Sequence, residues 1–265
     1  MEIETALSTG ASGIPIVRAW NDVETSIIHG FIGRQGGVSA GAFASMNLSY
    51  FVGDDARAVD ENWERLRREV PELKLVARVN QVHGNIVQVV TRATASSRAR
   101  ADGMVTRDPG VMLGIFTADC VPILMIDEKR KIAGAIHAGW RGVIAGIVAN
   151  GVDAMVSLGA DIENIRAVLG PSIGPCCFEV DATLAERFVR EIEGSERHAR
   201  AGRPGKAYLD LRGLVRDRLI GARLADVNIS AVGPCTRCAS ERFFSRRAAG
   251  GKTTGLQMSF VGFAE

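Results

Sequence analysis

Short, densely apolar runs alternate along this chain with longer amphipathic ones. Segments 27–32, 74–90, 112–117, 121–126, 132–137, 165–170 and 227–233 are rich in Val and Ile and bounded by Gly, Pro or Asp, the pattern of strands. Asp54 and Asp55 are placed to cap a helix running to about Val70. Over 140–158, Ile144, Ile147, Val148, Met155 and Leu158 recur at helical spacing until Gly159 ends the run. Leu184, Phe188 and Ile192 repeat at i, i+4 and i+8, and Asp210 is positioned to cap a further helix over 211–224. The alternation predicts an α/β or α+β fold, one domain over residues 1–265. The stretch 194–206, with Gly194, Gly202, Pro204 and Gly205 among charges, reads as an exposed loop.

Composition narrows the class. A length of 265 residues with 46% apolar content is enough to bury a core. Thirty glycines exceed the usual share of about 7%, so many backbone positions are turns or close approaches. A net charge of +2 argues against nucleic acid or an anionic membrane as the partner and favours small polar ligands. Glu2 and Glu4 stand where a signal peptide needs positive charge, and no apolar run reaches the roughly 18 residues of a membrane span. A cytoplasmic protein is therefore expected. Five cysteines, an odd number, suit reduced thiols or a metal site better than a secreted disulfide framework.

Four histidines are few enough to weigh singly. His198 lies in the charged run Glu196-Arg197-His198-Ala199-Arg200 and reads as a solvated surface residue, whereas His29, before Gly30 in a strand pattern, reads as structural. His83 and His137 differ, because each ends a strong strand signal beside glycine. Alternation in Val79-Asn80-Gln81-Val82-His83-Gly84 puts Gln81 and His83 on one face. His137 is delivered at the carboxyl end of a strand just before a helix, where α/β sheets place ligands. Between them Cys120 sits in a tight break, Thr117-Ala118-Asp119-Cys120-Val121-Pro122. One thiolate and two imidazoles suit zinc, and three protein ligands leave a position open for chemistry. The spacing matches no short metal motif, and the same residues also fit a buried thiol with two histidines satisfying backbone groups.

Several phrases resemble the YfiH family, the laccase-like "polyphenol oxidase" group. They are His29-Gly30-Phe31, Gly36-Gly37-Val38-Ser39, Asn80-Gln81-Val82-His83-Gly84, Ala101-Asp102-Gly103 and Thr117-Ala118-Asp119-Cys120 in the first half. Later come His137-Ala138-Gly139-Trp140-Arg141-Gly142, Gly170-Pro171-Ser172-Ile173-Gly174-Pro175-Cys176-Cys177, Phe243-Phe244-Ser245-Arg246-Arg247 and Gly251-Lys252-Thr253. The resemblance covers nearly the whole chain in order. It implies a YfiH-like domain of mixed β-sheet layers flanked by helices, with a zinc site at His83, Cys120 and His137. It further implies phosphorolysis of adenosine, inosine and S-methyl-5′-thioadenosine with phosphate as co-substrate, and adenosine deaminase activity in the same pocket. Copper-dependent phenol oxidation and editing of peptidoglycan precursors are the alternatives it carries.

The residues bear on that choice. A multicopper oxidase needs a further histidine-rich cluster for dioxygen, and this chain has no His-x-His pair and two spare histidines, although copper outcompetes zinc in raw affinity and can occupy one such site. Phosphorolysis needs an anion cradle. Gly139-Trp140-Arg141-Gly142 opens a helix, so its N–H groups and Arg141 are candidates for phosphate, with a surface ion pair the plainer role for Arg141. Deamination needs a metal-activated water and a proton-moving carboxylate. Asp119 is the adjacent candidate, but successive strand residues point to opposite faces, which suits it to supporting the metal ligand instead. Cys235-Thr236-Arg237-Cys238 is a lone C-x-x-C, for which Cys176 and Cys177 supply a second pair on paper; reduced structural thiols are the favoured reading. Arg246, Arg247 and Lys252 form a basic loop suited to phosphate or to solvent.

Overall fold

Both faces of most long strands are covered in this protein, and that decides its layers. The computed structural model describes residues 7–9, 13–20 and 22–265, so the reading of Glu2 and Glu4 lies outside the described residues. The strands are β1 Leu7–Thr9, β2 Pro15–Val17, β3 Ile27–Ile32, β4 Leu75–Ala77, β5 Val87–Val89, β6 Gly103–Thr106, β7 Val111–Thr117 and β8 Val121–Asp127. They continue with β9 Ile132–Ala138, β10 Arg166–Leu169, β11 Glu179–Asp181, β12 Ala199–Ala201, β13 Lys206–Leu209, β14 Ile229–Ala231 and β15 Gln257–Phe263. The helices are α1 Ala56–Glu69, α2 Trp140–Ile144, α3 Ile147–Ser157, α4 Ala182–Glu191 and α5 Leu211–Gly221. One six-stranded sheet runs β1-β2-β3-β15-β7-β4 and a second runs β14-β10-β8-β9-β6-β5, both mixed, with a three-stranded sheet β11-β13-β12 beside them.

Period-two alternation assigns the faces. In β8 all seven residues are buried: Leu124 and Ile126 pack with Phe31, Leu113, Ile115 and Val261 of the first sheet, whereas Val121, Ile123 and Met125 pack with α3 and α5. On the outer face of the first sheet, Ile16, Ile32, Met258 and Phe260 meet Val59, Trp63 and Leu66 of α1. The result is helix, sheet, sheet, helices, the mixed layers flanked by helices expected for this fold class.

Local signals place several elements as the pattern predicts. The Asp55 side chain accepts from the Arg57 amide at the start of α1, and Asp210 accepts from the Gly213 amide at the start of α5. Other expectations need correction. The stretch 74–90 is two three-residue strands with a loop between them, because its middle is recruited by a buried carboxylate described below. The run 140–158 is two helices, broken at Gly146, whose φ of 92° lies in the left-handed region that only glycine adopts freely. Residues 194–206 are not an open loop: they form a 3-10 turn, β12 and the connection to β13. His198 is accordingly half-buried and paired with Asp217 rather than solvated. No helix among the described residues is long and apolar enough to cross a membrane.

Candidate active site

Strand register brings the candidate ligands together. In the second sheet β6, β9 and β8 are neighbours, with Gly103 opposite Ile136 and Val121 opposite Ala138. Asp102, His137 and Cys120 therefore lie at the same end of three adjacent strands. The His137 amide donates to the Asp102 carbonyl at 2.7 Å, which continues the ladder by one step. His83 arrives from the loop before β5, and its ring meets that of His137 edge-on, with centroids 4.8 Å apart. The ligand atoms of His83, Cys120 and His137 all lie within 4.8 Å of one another.

The loop that carries His83 is not strand, contrary to the sequence pattern. Asp102 is fully buried, and its carboxylate accepts from the amides of Val82 (3.2 Å), His83 (2.8 Å) and Gly84 (2.7 Å). Three successive N–H groups turned to one anion require a tight turn, and His83 takes a φ of 59° to make it. The same carboxylate lies 2.8 Å from His137 Nδ1. One residue thus sets the backbone of one histidine and the ring of the other. Burial pushes the Asp102 carboxyl up, but the bonds from His137 and from the Gly84 and His83 amides outweigh it and hold the group below the usual carboxylate range. Asp102 lies in one of the phrases that carry the family resemblance, Ala101-Asp102-Gly103, but sequence reasoning assigned it no role; its only local signal is a charged residue opening an apolar strand.

The electrostatics of the group suit a cation. Cys120 is desolvated, which alone would raise its pKa, yet the charge and hydrogen bond of His137 and the bond from His83 pull the thiol below its ordinary range. His137 responds in the opposite direction: burial opposes its charge, but Cys120 and Asp102 push it up. With Nδ1 committed to Asp102, Nε2 remains for a ligand, the arrangement of a histidine oriented by a carboxylate at a metal. A Cβ at Gly139 would lie 3.0 Å from His83 Cδ2 and 3.2 Å from Cys120 Sγ, so only glycine leaves these groups free to converge. One cysteine sulfur and two imidazoles, that of His137 oriented by Asp102, fit a zinc ion, with copper also within reach of this donor set.

These residues stand in a cleft of about 280 Å³. Tyr50, Phe51 and Phe116 offer aromatic surface there, and Arg78, Arg98 and Arg246 offer positive charge. Burial depresses Arg78 to about 10, with the neighbouring Arg98 charge adding to the effect, so it remains a cation at neutral pH. Its buried Nε has no hydrogen-bond partner among the described residues. Gln81 fixes the wall of the cleft, exchanging two 2.8 Å bonds with the backbone of Phe116. No carboxylate is among the described residues that line the cleft.

Two candidates stand elsewhere. Arg141 is exposed on α2, its guanidinium 4.1 Å from the Trp140 ring centroid, and it does not line the cleft; the first helical turn carries it back over its neighbour instead. Asp119, with a φ of 101°, turns its carboxylate away from the cleft, where it accepts from Thr236 Oγ1 and the Arg247 amide at 2.7 Å each. Both its oxygens are thereby engaged in holding loops beside Cys120. Of the basic loop, Arg246 lines the cleft, while Arg247 donates to the carbonyls of Cys177 and Glu179. Arg78 and Arg98 escaped the sequence reading because nothing local distinguishes them from solvated arginines.

Residues 28–264 match the family described as multi-copper polyphenol oxidoreductase laccase. A Deinococcus radiodurans protein named purine nucleoside phosphorylase is 40% identical over 259 residues, covering 95% of this chain and 94% of that one. A protein named adenosine deaminase RL5, from an unknown prokaryotic organism, is 35% identical over 219 residues, 79% of this chain and 84% of its own. The crystal structure of the Bacillus licheniformis hypothetical protein YfiH superposes with a TM-score of 0.88 at 29% identity, covering 97% of this chain and 98% of that one.

Proposed function

The chain belongs to this family, the YfiH family, and on that premise we propose that it is a zinc-dependent purine nucleoside phosphorylase, acting as one domain over residues 1–265. Its substrates on this reading are adenosine, inosine and S-methyl-5′-thioadenosine together with phosphate, and the relative named adenosine deaminase supports a deaminase activity in the same cleft. The observation that carries the reading is the juxtaposition in one cleft of Arg78, Arg98 and Arg246 with aromatic side chains and with His83, Cys120 and His137.

Phosphorolysis forms a bond from a phosphate oxygen to ribose C1′ while the C1′–N9 bond breaks, leaving its electron pair on the purine, which takes up a proton. The dianion must be held close to a sugar that becomes positively charged. Guanidinium groups do this through paired, charge-assisted hydrogen bonds, and Arg78, Arg98 and Arg246 bring three of them to the cleft. Tyr50, Phe51 and Phe116 give the purine apolar and aromatic surface, while Asn80, Thr253 and Thr254 offer hydrogen bonds to the sugar. Zinc held by His83, Cys120 and His137 would supply Lewis acidity at this end of the cleft. Asp102 keeps His137 and the 82–84 turn in place for that purpose. Deamination needs a proton-moving group as well, and with no carboxylate among the described residues that line the cleft, phosphorolysis is the better supported of the two.

A multicopper oxidase reading is disfavoured by the histidines. His29 accepts from the Ala19 and Trp20 amides and His198 pairs with Asp217, so neither joins the cleft. The test is direct: full-length protein, zinc-loaded, is incubated with phosphate and each nucleoside, and free base is measured together with ribose 1-phosphate, or methylthioribose 1-phosphate from S-methyl-5′-thioadenosine. Phosphate-dependent release of both is expected. Absence of release from loaded protein, or copper-dependent oxygen uptake with a phenol in its place, overturns the proposal.

A further inference from the structure

Away from the cleft, four cysteines meet. Cys176 and Cys177 follow β10, Cys235 and Cys238 follow β14, and their Sγ atoms all lie within 4.8 Å of one another. This is the second pair that the C-x-x-C lacked in the sequence. All five cysteines of the chain are free thiols. Sγ of Cys238 is 3.6 Å from that of Cys176 and 3.4 Å from that of Cys177. Four thiolates around a zinc ion, each about 2.3 Å from it, stand roughly 3.8 Å from one another in a tetrahedron. The sulfurs are thus already spaced for a tetrahedral centre.

The backbone is arranged to serve thiolates as well. Gly174 accepts the amides of both Cys177 and Phe178, and this turn is what carries two adjacent cysteines to one side. The Gly174 amide donates to Cys235 Sγ at 3.2 Å, and the amides of Arg237 and Cys238 face the same sulfur. Several N–H groups converging on the first sulfur of a C-x-x-C turn stabilise negative charge there, which a neutral structural thiol does not need. Arg237 adds a guanidinium 3.4 Å from Cys177 Sγ. A Cβ at Gly174 would press on Cys235 Cβ at 3.1 Å and on Cys176 Sγ at 3.4 Å, so the approach of the two loops depends on glycine.

We infer that Cys176, Cys177, Cys235 and Cys238 form a metal site of their own, holding zinc in a closed tetrathiolate centre. Four protein ligands leave no open position, so its role is structural. What it clips together is informative: the Ile173 amide donates to the Asp119 carbonyl and Thr236 Oγ1 to the Asp119 carboxylate, one from each cysteine loop. The centre therefore braces the residue immediately before Cys120. This inference does not depend on the substrate or on the His83 group.

The experiment removes the other thiol ligand first. Full-length Cys120→Ser protein, purified under a phosphine reductant without added metal, is expected to keep one zinc per chain, with four sulfurs near 2.3 Å in zinc-edge X-ray absorption. Its cobalt form should show strong sulfur-to-cobalt charge transfer and tetrahedral visible bands. Adding Cys235→Ser should abolish both, while Cys238→His should retain zinc with one sulfur replaced by nitrogen. In wild type, at least one zinc ion with the same four-sulfur shell should be found whatever metal the His83 group holds, a measurement that needs no variant to fold. Overturning results are Cys120→Ser protein free of zinc with four titratable thiols, a disulfide among these cysteines in freshly purified protein, iron in place of zinc, or a shell of nitrogen and oxygen.

Discussion

Replacing Asp102 should loosen two ligands with a single change. The carboxylate accepts four bonds: three from the Val82, His83 and Gly84 amides and one at His137 Nδ1. Asp102→Asn keeps the volume and one acceptor oxygen but turns an NH2 group toward donors. Each buried donor left unmade costs ~1–3 kcal/mol, and the loop amides are only partly buried and can recruit water, so a loss of about 2–4 kcal/mol is expected for Asn and about 3–5 kcal/mol for Ala. At about 2–4 °C per kcal/mol for a chain of this size, the Asn variant should melt roughly 5–15 °C lower. Losing a carboxylate that orients a metal-binding histidine typically weakens metal affinity by about 10–100-fold. Zinc affinity is read by competition with a chromophoric chelator, and stability by urea unfolding of metal-free protein. An Asn variant with wild-type zinc affinity and an unchanged urea midpoint would refute the account of Asp102 as the organiser of both histidines.

Cys120→Ala should abolish tight zinc binding at the His83 group and nucleoside turnover together while costing only ~0.5–3 kcal/mol of stability; dialysed metal content and circular dichroism check the two halves. Gly139→Ala, whose backbone φ of −76° suits alanine, should act only through its Cβ against His83 and Cys120, lowering zinc affinity without melting the fold. Arg246→Ala and Arg78→Ala should raise the KM for phosphate more than that for nucleoside, and equal effects on both would remove the anion role. His29 provides a pH signature. Burial first, then the Arg18 charge, hold its pKa down at about 4, and its Nε2 already accepts from two amides that a proton would oppose. The folded state thus takes up the proton later than the unfolded one, so stability is full above pH 6.5 and falls as the pH drops toward 4. About 2 kcal/mol should be lost between pH 7 and 5, and His29→Gln should flatten that slope in urea titrations.

Much was legible locally. A strand covered on both faces must be apolar at nearly every position, so 112–117, 121–126 and 132–137 stood out and fall within β7, β8 and β9. An amphipathic helix behind an Asp cap is likewise self-announcing, as α1 and α5 show. A short strand with little burial such as β12 carries no such pattern, and 194–206 reads as loop because its glycines and charges dominate. Gly146 broke a run that apolar spacing alone would continue.

The site divides along the same line. Residue type and strand-end position made His83, Cys120 and His137 candidates, since few side chains in this chain offer imidazole nitrogen or thiol sulfur there, and the family resemblance rather than spacing joined them into one metal site. Only the pairing of β6 with β9 and of β9 with β8 decided that they meet, and that Asp102 lies beneath them. The same holds for the arginines that share the cleft and for the two cysteine pairs, which are some sixty residues apart: Cys177 and Cys238 lie 61 positions from each other. Local patterning reports how each segment buries its own apolar face, whereas which polar groups become neighbours depends on strand register and loop closure between distant segments, and no single segment carries that information.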